Sequence, residues 1–324
     1  MNATTPSISI VIPNYNGVEL LPKTIESALK ALTTSGITDY EIIVSDDAST
    51  DGSLVLLEQE FPEVVLVKSE RNTGFSGNAN RGIQRSSKEL ICLLNSDVHL
   101  GTAYFTAQTP LFDSEETFGV MGLIQEQGTF ALQDGAKLPS ISRWKIESNK
   151  NEFSNARIPT LFLSGANALI RSSYLKEIGG FNELFNPYYA EDVDLGIRAW
   201  RRGWVLWYQP ESHCYHAQST TINKLPPLHV RTIAKRNKHF LHFLHLPNGF
   251  HWVYVLQVSI KAIFQSLFGQ RIHRKAVKQF YQALPDLIHE RRKFNRGEQK
   301  FNLMDLRKWM HKMGEKRQTA ANPS

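Results

Sequence analysis

The first hundred residues alternate between short apolar runs and segments whose apolar residues recur at helical spacing. The runs Ser7–Asn14, Tyr40–Ser45, Glu63–Lys68 and Leu90–Leu94 are rich in β-branched and aliphatic residues and end in polar ones. This pattern predicts strands, the last of them buried on both faces. The helices predicted between the strands are Val18–Leu32, Ser53–Phe61 and Gly77–Ser86. Such alternation predicts an α/β fold with a mostly parallel sheet and right-handed crossovers.

Beyond Asp97 the alternation is less regular. Further elements predicted are the strands Phe118–Gln125, Thr129–Leu132 and Trp204–Tyr208 and the helices Ser172–Ile178 and Glu191–Arg202. The polar stretch Ile141–Arg157 is predicted to be a loop. From Pro226 onward the pattern is helical, so we place a boundary between an α/β domain (1–223) and a helical extension (224–324).

Charge divides the chain in the same place. The 324 residues are 41% hydrophobic and 21% charged, as expected for a globular protein. From Lys224 onward there are 20 Lys and Arg against 5 Asp and Glu, a net charge of +15, whereas residues 1–223 have a net charge of −9. The basic extension predicts an anionic partner. We find no nucleic-acid recognition motif, so we expect no nucleic-acid partner.

The sequence predicts a cytoplasmic protein. Its N-terminus lacks the basic start and apolar core of a signal peptide. No apolar run reaches the roughly 18–20 residues that span a bilayer. Cys92 and Cys214 show no metal-type spacing, and neither requires an oxidising compartment.

The basic extension contains one aromatic and apolar helical segment, His251–Phe268, followed by a cluster of Lys and Arg. Two interpretations stand: a helix lying on the anionic inner face of the cell membrane, and a helix packed on the α/β domain. Just before it, His239, His242 and His245 recur every three residues. We expect them to form a solvated or interfacial stripe and not a metal site.

Polar residues follow the predicted strands where a sheet of this kind opens to its ligand crevice. The segment 46–52, DDASTDG, places three carboxylates after the second strand, where they form either a capped turn or acceptors for a ligand. The segment 71–82, RNTGFSGNANRG, fits neither a dinucleotide fingerprint nor a P-loop. Its glycines permit close backbone approach to a nucleotide, or simply the entry to a helix.

Three further groups bear candidate chemistry. Asp97, after the fourth strand, offers a carboxylate oxygen of the type that Mg²⁺ and Mn²⁺ prefer. Glu191 and Asp192 begin a predicted helix, where the dipole alone favours acidic residues and also keeps a general base ionised. His216, after a predicted strand, can deliver one imidazole to the crevice.

Taken in order, these motifs resemble an inverting family 2 glycosyltransferase of the GT-A fold, a Rossmann-like fold with a mostly parallel central sheet. The resemblance covers nearly all of residues 7–219, and within the family it is greatest to bacterial rhamnosyltransferase-like enzymes of surface-polysaccharide assembly. The seven matching pieces are IVIPNYNG, IIVSDDASTDGS, RNTGFSGNANRGI, LLNSDV, GANALIRSSYLKEIGGFNELF, YYAEDVDLGIRAWRRGW and HAQS.

The resemblance implies a role for each matching residue. Asp192 matches the catalytic base, with Glu191 beside it, and Asp97 and His216 match ligands of Mg²⁺ or Mn²⁺. Asn95 departs from the family pattern, which has a carboxylate at this position, and so the metal requirement is left open. The implied nucleotide-sugar site consists of Pro13, Asn16, Asp46, Asp47, Arg71, Asn72, Gly74, Asn80, Asn95 and Ser96.

The resemblance also implies the reaction: transfer of a sugar from a nucleoside-diphosphate donor to a hydroxyl group of a glycan or lipid-linked glycan. Two alternatives stand beside it, a nucleotidyltransferase and a catalytically inactive module that binds nucleotide sugars. Retention of Asp97, Asp192 and His216 in one chain argues against the inactive module.

Overall fold

The computed structural model describes residues 5–216, 226–267, 271–296, 300 and 303–321. Its strands are β1 (Ile8–Asn14), β2 (Tyr40–Asp46), β3 (Val65–Lys68), β4 (Leu90–Leu94), β5 (Val98–Leu100), β6 (Thr117–Glu126), β7 (Leu132–Asp134), β8 (Ala136–Ile141), β9 (Ile146–Glu152), β10 (Ile158–Pro159), β11 (Asn167–Arg171) and β12 (Val205–His216). Its α-helices are α1 (Leu21–Thr34), α2 (Ser53–Glu60), α3 (Gly74–Arg85), α4 (Tyr104–Gln108), α5 (Ser172–Glu177), α6 (Glu191–Arg201), α7 (Pro227–His245), α8 (Phe250–Leu267), α9 (Arg271–Gln282), α10 (Leu284–Arg296) and α11 (Leu306–Ala321).

The central sheet confirms the predicted α/β fold. Its strand order is β10-β12-β6-β11-β4-β1-β2-β3, with β5 paired to β12 and β7 paired to β6. β1, β2, β3 and β4 are mutually parallel, and β6 is parallel to β12, whereas β11 runs antiparallel to both of its neighbours. All five residues of β4 are buried, as its unbroken apolar run predicts. The carboxyl ends of β1, β2 and β4 therefore meet at one edge of the sheet.

The helices cover the sheet through apolar stripes and one close backbone contact. α1 buries Leu21, Ile25 and Leu32 at helical spacing. α3 lies against β1 at Gly82, where a Cβ would come within 2.4 Å of Cγ1 of Val11. Glycine at this position lets the helix that follows β3 approach the sheet.

The prediction of a loop over 141–157 is wrong in its middle part. β9 (Ile146–Glu152) pairs antiparallel with β8 in a separate two-stranded sheet. β9 is polar almost throughout, IESNKNE, so no apolar alternation marked it as a strand. Ile146 anchors the hairpin, being 1% exposed and donating its N–H to Nε2 of His242.

The prediction of a solvated or interfacial histidine stripe is also wrong. His239, His242 and His245 of α7 are 6%, 1% and 0% exposed. One nitrogen of each ring has a polar partner within the protein: the Tyr254 hydroxyl for His239, the Lys238 carbonyl for His242 and the Asp194 carboxylate for His245.

The basic extension forms helices α7 to α11. α8 packs on its neighbours through Val255 and Val258, which are 9% and 5% exposed, and leaves its other face open. No helix in the described parts of the chain is both long and apolar enough to cross a membrane. The predicted boundary between residues 223 and 224 lies outside the described residues.

Candidate active site

A cavity of about 620 Å³ opens at the carboxyl ends of β1, β2 and β4. Its volume is within the range of small-molecule sites, roughly 300–1,000 Å³. Ten of the fourteen predicted site residues line it: Pro13, Asp47, Asn72, Gly74, Asn95, Ser96, Asp97, Glu191, Asp192 and His216. Residues that were not predicted as site residues also line the cavity, among them Asn14, Asn78 and His229.

Asp46 shapes the turn after β2. It is 1% exposed, and its carboxylate accepts hydrogen bonds from the Asn14 amide (2.9 Å) and from the backbone and hydroxyl of Ser49 (2.9 and 2.6 Å). These bonds match the capped turn that the sequence left as an alternative. Asp46 is not among the residues that line the cavity.

Asp47 fixes the beginning of α3. Its carboxylate accepts hydrogen bonds from the backbone N–H groups of Thr73 and Gly74, each at 2.9 Å, and pairs with Arg81 at 2.7 Å. Acceptance from the first N–H groups of a helix satisfies donors that have no partner inside the helix. Gly74 is needed here because its φ is +78° and a Cβ would lie 2.8 Å from Cα of Pro187.

Three other residues of the predicted nucleotide-sugar site also lie outside the cavity lining. Asn16 accepts a hydrogen bond from the backbone of Thr50 at 2.8 Å, and Arg71 is exposed. The Asn80 side chain donates to the carbonyl oxygen of Phe181 at 2.9 Å and accepts from its backbone N–H at 2.8 Å. The roles of these three residues toward a nucleotide stay predictions.

Asp97 and His216 face each other on one wall of the cavity. The antiparallel register of β12 and β5 sets His216 opposite Val98. As a result, Nε2 of His216 lies 3.2 Å from Oδ2 of Asp97, and Nδ1 lies 3.1 Å from Oε1 of Gln133. Because the Gln133 oxygen accepts, Nδ1 donates and a neutral ring turns its Nε2 lone pair toward the carboxylate.

This pair fits two ligands of a divalent ion. Two acceptors at 3.2 Å repel each other unless a proton or a cation lies between them. Neighbouring ligands of a Mg²⁺-type ion, each roughly 2.1 Å from the metal, are about 3 Å apart. In the described ranges of the chain, no group of three or more His, Cys, Asp or Glu side chains is arranged to hold a metal.

Glu191 and Asp192 line the cavity at the first turn of α6. Burial raises the pKa of Glu191, and the charges of Asp192 and Asp194 raise it further. Burial also raises the pKa of Asp192, but the backbone N–H of Val193 and the charge of Lys137 act in the opposite direction. Asp192 is therefore the more readily ionised member of the pair.

Lys137 of β8, which no motif in the sequence singles out, does not line the cavity but lies near enough for its charge to act on Asp192. It is 8% exposed, and its ammonium group contacts the Asp134 carboxylate and the carbonyl oxygen of Gly135 (3.3 Å). Burial lowers the pKa of Lys137 to about 8, while the charge of Asp192 raises it. The β8–β9 hairpin thus places a positive charge near the candidate base.

Asp194, two residues after Asp192, is buried and hydrogen-bonded within the protein and does not line the cavity. It is 0% exposed and accepts hydrogen bonds from Nε of Arg198 (2.8 Å) and from Nε2 of His245 (2.7 Å). Arg198 also donates to the carbonyl oxygen of Gly180 at 2.7 Å. This buried network connects α6 to α7 of the basic extension.

Comparisons with known proteins agree with these observations. A family model described as "Glycosyl transferase family 2" matches residues 9–179. The chain is 24% identical over 244 residues to the "N-acetylglucosaminyl-diphospho-decaprenol L-rhamnosyltransferase" of Mycobacterium tuberculosis, with 67% of this chain and 79% of the relative covered. It is 27% identical over 218 residues to the "GalNAc(5)-diNAcBac-PP-undecaprenol beta-1,3-glucosyltransferase" of Campylobacter jejuni, with 65% and 62% covered.

Two solved structures have the same fold. The structure of GalNAc-T7 with UDP, GalNAc and Mn²⁺ superposes with a TM-score of 0.61 at 14% identity, covering 80% of this chain and 52% of that one. The mannosyltransferase PcManGT of Pyrobaculum calidifontis, in complex with GDP-Man and Mn²⁺, gives a TM-score of 0.53 at 14% identity, covering 89% and 87%. The fold is that of GT-A glycosyltransferases, as predicted.

Proposed function

Because the chain belongs to glycosyl transferase family 2, we propose that it transfers a sugar from a nucleoside-diphosphate donor to a hydroxyl group with inversion at the anomeric carbon. The observation that carries this proposal is the shared cavity, which brings the facing pair Asp97 and His216 together with the carboxylate of Asp192. A donor and an acceptor could meet there between a cation site and a base.

The nucleoside end of the donor would lie against the loops that follow β1, β2 and β3. Pro13, Asp47, Asn72 and Gly74 line that part of the cavity. Asp47 accepts a hydrogen bond from the backbone of Gly74 at the beginning of α3. It would therefore act on the donor indirectly, by holding Gly74 where the backbone can lie close to the donor. These residues are compatible with uridine, thymidine or guanosine as the nucleoside of the donor.

Asp97 and His216 would hold Mg²⁺ or Mn²⁺ together with diphosphate oxygens. When bound, a divalent ion offsets the charge that develops on a departing nucleoside diphosphate. Asn95 and Ser96, beside Asp97, line the cavity and would contact the donor with neutral polar groups. With Asn95 in place of a carboxylate, the protein contributes one carboxylate and one imidazole, so we expect the metal to bind tightly only with the nucleotide.

Asp192 would act as the general base. Its carboxylate removes the proton of the acceptor hydroxyl while the hydroxyl oxygen attacks the anomeric carbon and the bond to the diphosphate breaks. Attack on the face opposite the leaving group inverts the configuration, and no covalent intermediate is required. Lys137 favours the ionised form of Asp192, whereas Glu191 keeps its proton to higher pH.

The acceptor proposed here is a glycan or a lipid-linked glycan used in cell-envelope polysaccharide synthesis. The relatives in Mycobacterium tuberculosis and Campylobacter jejuni are named for polyprenyl-diphosphate-linked acceptors. Such an acceptor keeps its lipid in the membrane, so the enzyme would act in the cytoplasm at the inner face of the cell membrane.

The outer face of α8 supports that location. Six large apolar side chains, 39% to 66% exposed, form one stripe: Trp252, Val253, Leu256, Ile260, Ile263 and Phe264. Exposed basic residues lie on the same helix and on α9: Lys261, Arg271, Arg274, Lys275 and Lys278. An apolar stripe bordered by cations is suited to the boundary between acyl chains and anionic headgroups.

The experiment for this proposal is a donor screen. Wild type is incubated with UDP-, dTDP- and GDP-linked sugars, with Mn²⁺ or with EDTA, and nucleoside diphosphate release and the melting temperature are followed. We expect one donor to be hydrolysed slowly in a metal-dependent way and to raise the melting temperature. No hydrolysis and no shift with every donor would contradict the proposal, and pyrophosphate release from nucleoside triphosphates would favour a nucleotidyltransferase. A shift without turnover, acceptor included, would favour an inactive binding module.

A further inference from the structure

The segment that leads into α6 has a strained backbone. Tyr189 and Ala190 have φ values of +78° and +72°, a left-handed conformation that residues with a Cβ rarely adopt. Glu191, the next residue, begins α6, so these two residues determine how the helix and Asp192 enter the cavity. Such a conformation persists only where neighbouring groups hold it.

Asn237 of α7 is the group that holds it. This residue is 0% exposed, and its amide nitrogen donates to the carbonyl oxygens of Phe185 (2.6 Å), Tyr188 (2.8 Å) and Tyr189 (2.8 Å). One NH₂ group thus serves three carbonyls of the same segment. A buried carbonyl left without a donor is costly, so this arrangement favours the observed path of the backbone.

Arg236 fixes the orientation of that amide. Its Nε donates to Oδ1 of Asn237 at 2.8 Å, which leaves the nitrogen facing the carbonyls. Its guanidinium group also donates to the carbonyl oxygen of Asn186 and lies 5.1 Å from the centre of the Phe240 ring. Arg236 and Asn237, two consecutive residues of α7, therefore both donate hydrogen bonds to the backbone of residues 185–189.

On its other side the segment is hydrogen-bonded to the first turn of α3. The Asn186 side chain accepts a hydrogen bond from the backbone of Ser76 at 3.0 Å, and the carbonyl of Pro187 accepts one from Phe75 at 3.0 Å. The position of the segment relative to Gly74 is thereby fixed. Displacing it would move Asp192 relative to the part of the cavity that faces the donor.

We propose that Asn237 is a positioning residue, which holds Tyr189 and Ala190 in the left-handed conformation so that Asp192 faces the acceptor hydroxyl. This inference rests on the proposed function. The catalytic geometry then depends on the basic extension, whatever surface that extension binds.

The test uses the full-length protein and two variants of Asn237. Asn237→Ser removes the amide donors without adding charge, and Asn237→Asp keeps the shape but replaces the donors with acceptors; if the second does not fold, the first carries the test. We expect hydrogen exchange in residues 185–194 to become about tenfold faster. We expect kcat to fall about 100-fold, the order that a displacement of ~1 Å at a reacting group costs, with the donor KM changed less than about twofold.

Thr232→Val is the matched control. Thr232 is a buried polar residue of the same helix, and its hydroxyl donates to the carbonyl of Leu228 in its own helix. A rescue variant adds Ala190→Gly to Asn237→Ser, because glycine adopts a positive φ without strain. Recovery of kcat in the double variant would indicate that Asn237 positions Asp192. A general loss of stability caused by Asn237→Ser would not be repaired by a glycine at position 190.

The outcomes separate this inference from the proposed function. The inference would be overturned if hydrogen exchange in residues 185–194 of Asn237→Ser were no faster than in Thr232→Val, or if kcat of Asn237→Ser were unchanged. Activity of the wild type would still support the proposed transferase function in that case. Wild type without activity toward any donor, together with faster exchange in Asn237→Ser, would remove the catalytic part of the inference along with the proposed function.

Discussion

Nε2 of His216 lies 3.2 Å from Oδ2 of Asp97, although the two residues are far apart in the sequence. The contact arises because the last residue of β12 pairs beside the first residue of β5. Gln133 of β7 holds the other nitrogen of the imidazole. A candidate cation site is therefore assembled by strand register, and the following prediction tests it.

Asp97→Asn and His216→Gln should each lower metal-stimulated turnover at least ~100-fold, because a bound divalent ion supplies several kcal/mol of charge stabilisation. The measurement is nucleoside diphosphate release across a Mn²⁺ titration. His213→Gln is the control, since His213 lies on the same strand and its Nδ1 contacts Gln125. Metal stimulation that survives in both variants would show that these residues are not the ligands.

Lys137→Met should move the acidic limb of the pH–rate profile to higher pH. Lys137 lowers the pKa of Asp192, so its removal raises that pKa and protonates the base earlier as the pH falls. In wild type the limb should already lie above the ordinary Asp pKa of about 3.9, because burial raises the pKa of Asp192.

The measurement for this prediction is kcat/KM between pH 5 and 9. Lys145→Met is the control because Lys145 is an exposed lysine of the same hairpin that pairs with Glu147. The same acidic limb in wild type and Lys137→Met would rule out an electrostatic effect of Lys137 on the base.

Leu256→Glu and Ile263→Glu should weaken binding to anionic vesicles. These side chains are 59% and 66% exposed on the outer face of α8, and losing the burial of one large apolar side chain reduces binding about tenfold or more. The measurement is co-sedimentation with vesicles containing phosphatidylglycerol, against neutral phosphatidylcholine vesicles.

Val55→Glu is the control for the vesicle experiment, because Val55 is 55% exposed on α2. Equal binding of wild type and both α8 variants would exclude the outer face of α8 as a membrane contact. The catalytic proposal would be unaffected by that result.

The protein should lose stability as the pH falls below 6.5, partly through His242. Its Nδ1 donates to the Lys238 carbonyl and its Nε2 accepts from the backbone of Ile146, so the folded state requires a neutral ring. Burial lowers the pKa of His242 to about 4. The unfolded chain takes up this proton first, and the free energy of unfolding falls by about 1.4 kcal/mol per such histidine between pH 7.5 and 5.5.

Urea unfolding of wild type and His242→Gln at the two pH values measures this contribution. The variant should be less stable at pH 7.5 but lose about 1.4 kcal/mol less on acidification. The same pH dependence in both proteins would mean that His242 titrates equally in the folded and unfolded states.

The first half of the fold was predictable because its strands are buried. β1, β2 and β4 combine β-branched or aliphatic runs with polar residues at one end, and the helices between them carry apolar stripes. β9 was not predictable, since it is polar and owes its place to pairing with β8 and to one contact with His242. The buried histidines looked like surface residues because the contacts that bury His242 and His245, with Ile146 and Asp194, join positions far apart in the sequence.

The candidate site was predictable where polar residues directly follow a strand or begin a helix. Asp97 and Asp192 are such residues; His216 is the last residue of β12, and all three line one cavity. Lys137 and Asn237 act through contacts formed only in the folded chain, so no local pattern reveals them. Asp46 and Asn80 have the residue types of a ligand site, but their hydrogen bonds are used within the protein.

The most direct test of the account is the transfer reaction of Asp192→Asn. With the donor and acceptor that wild type uses, kcat should fall about 1,000-fold, within the range that a general base contributes, while donor binding stays within about twofold. NMR of the wild-type product should show the anomeric configuration opposite to that of the donor. Near-normal turnover in Asp192→Asn, or a product that retains the donor's configuration, would contradict the assignment of Asp192 as the base of an inverting glycosyltransferase.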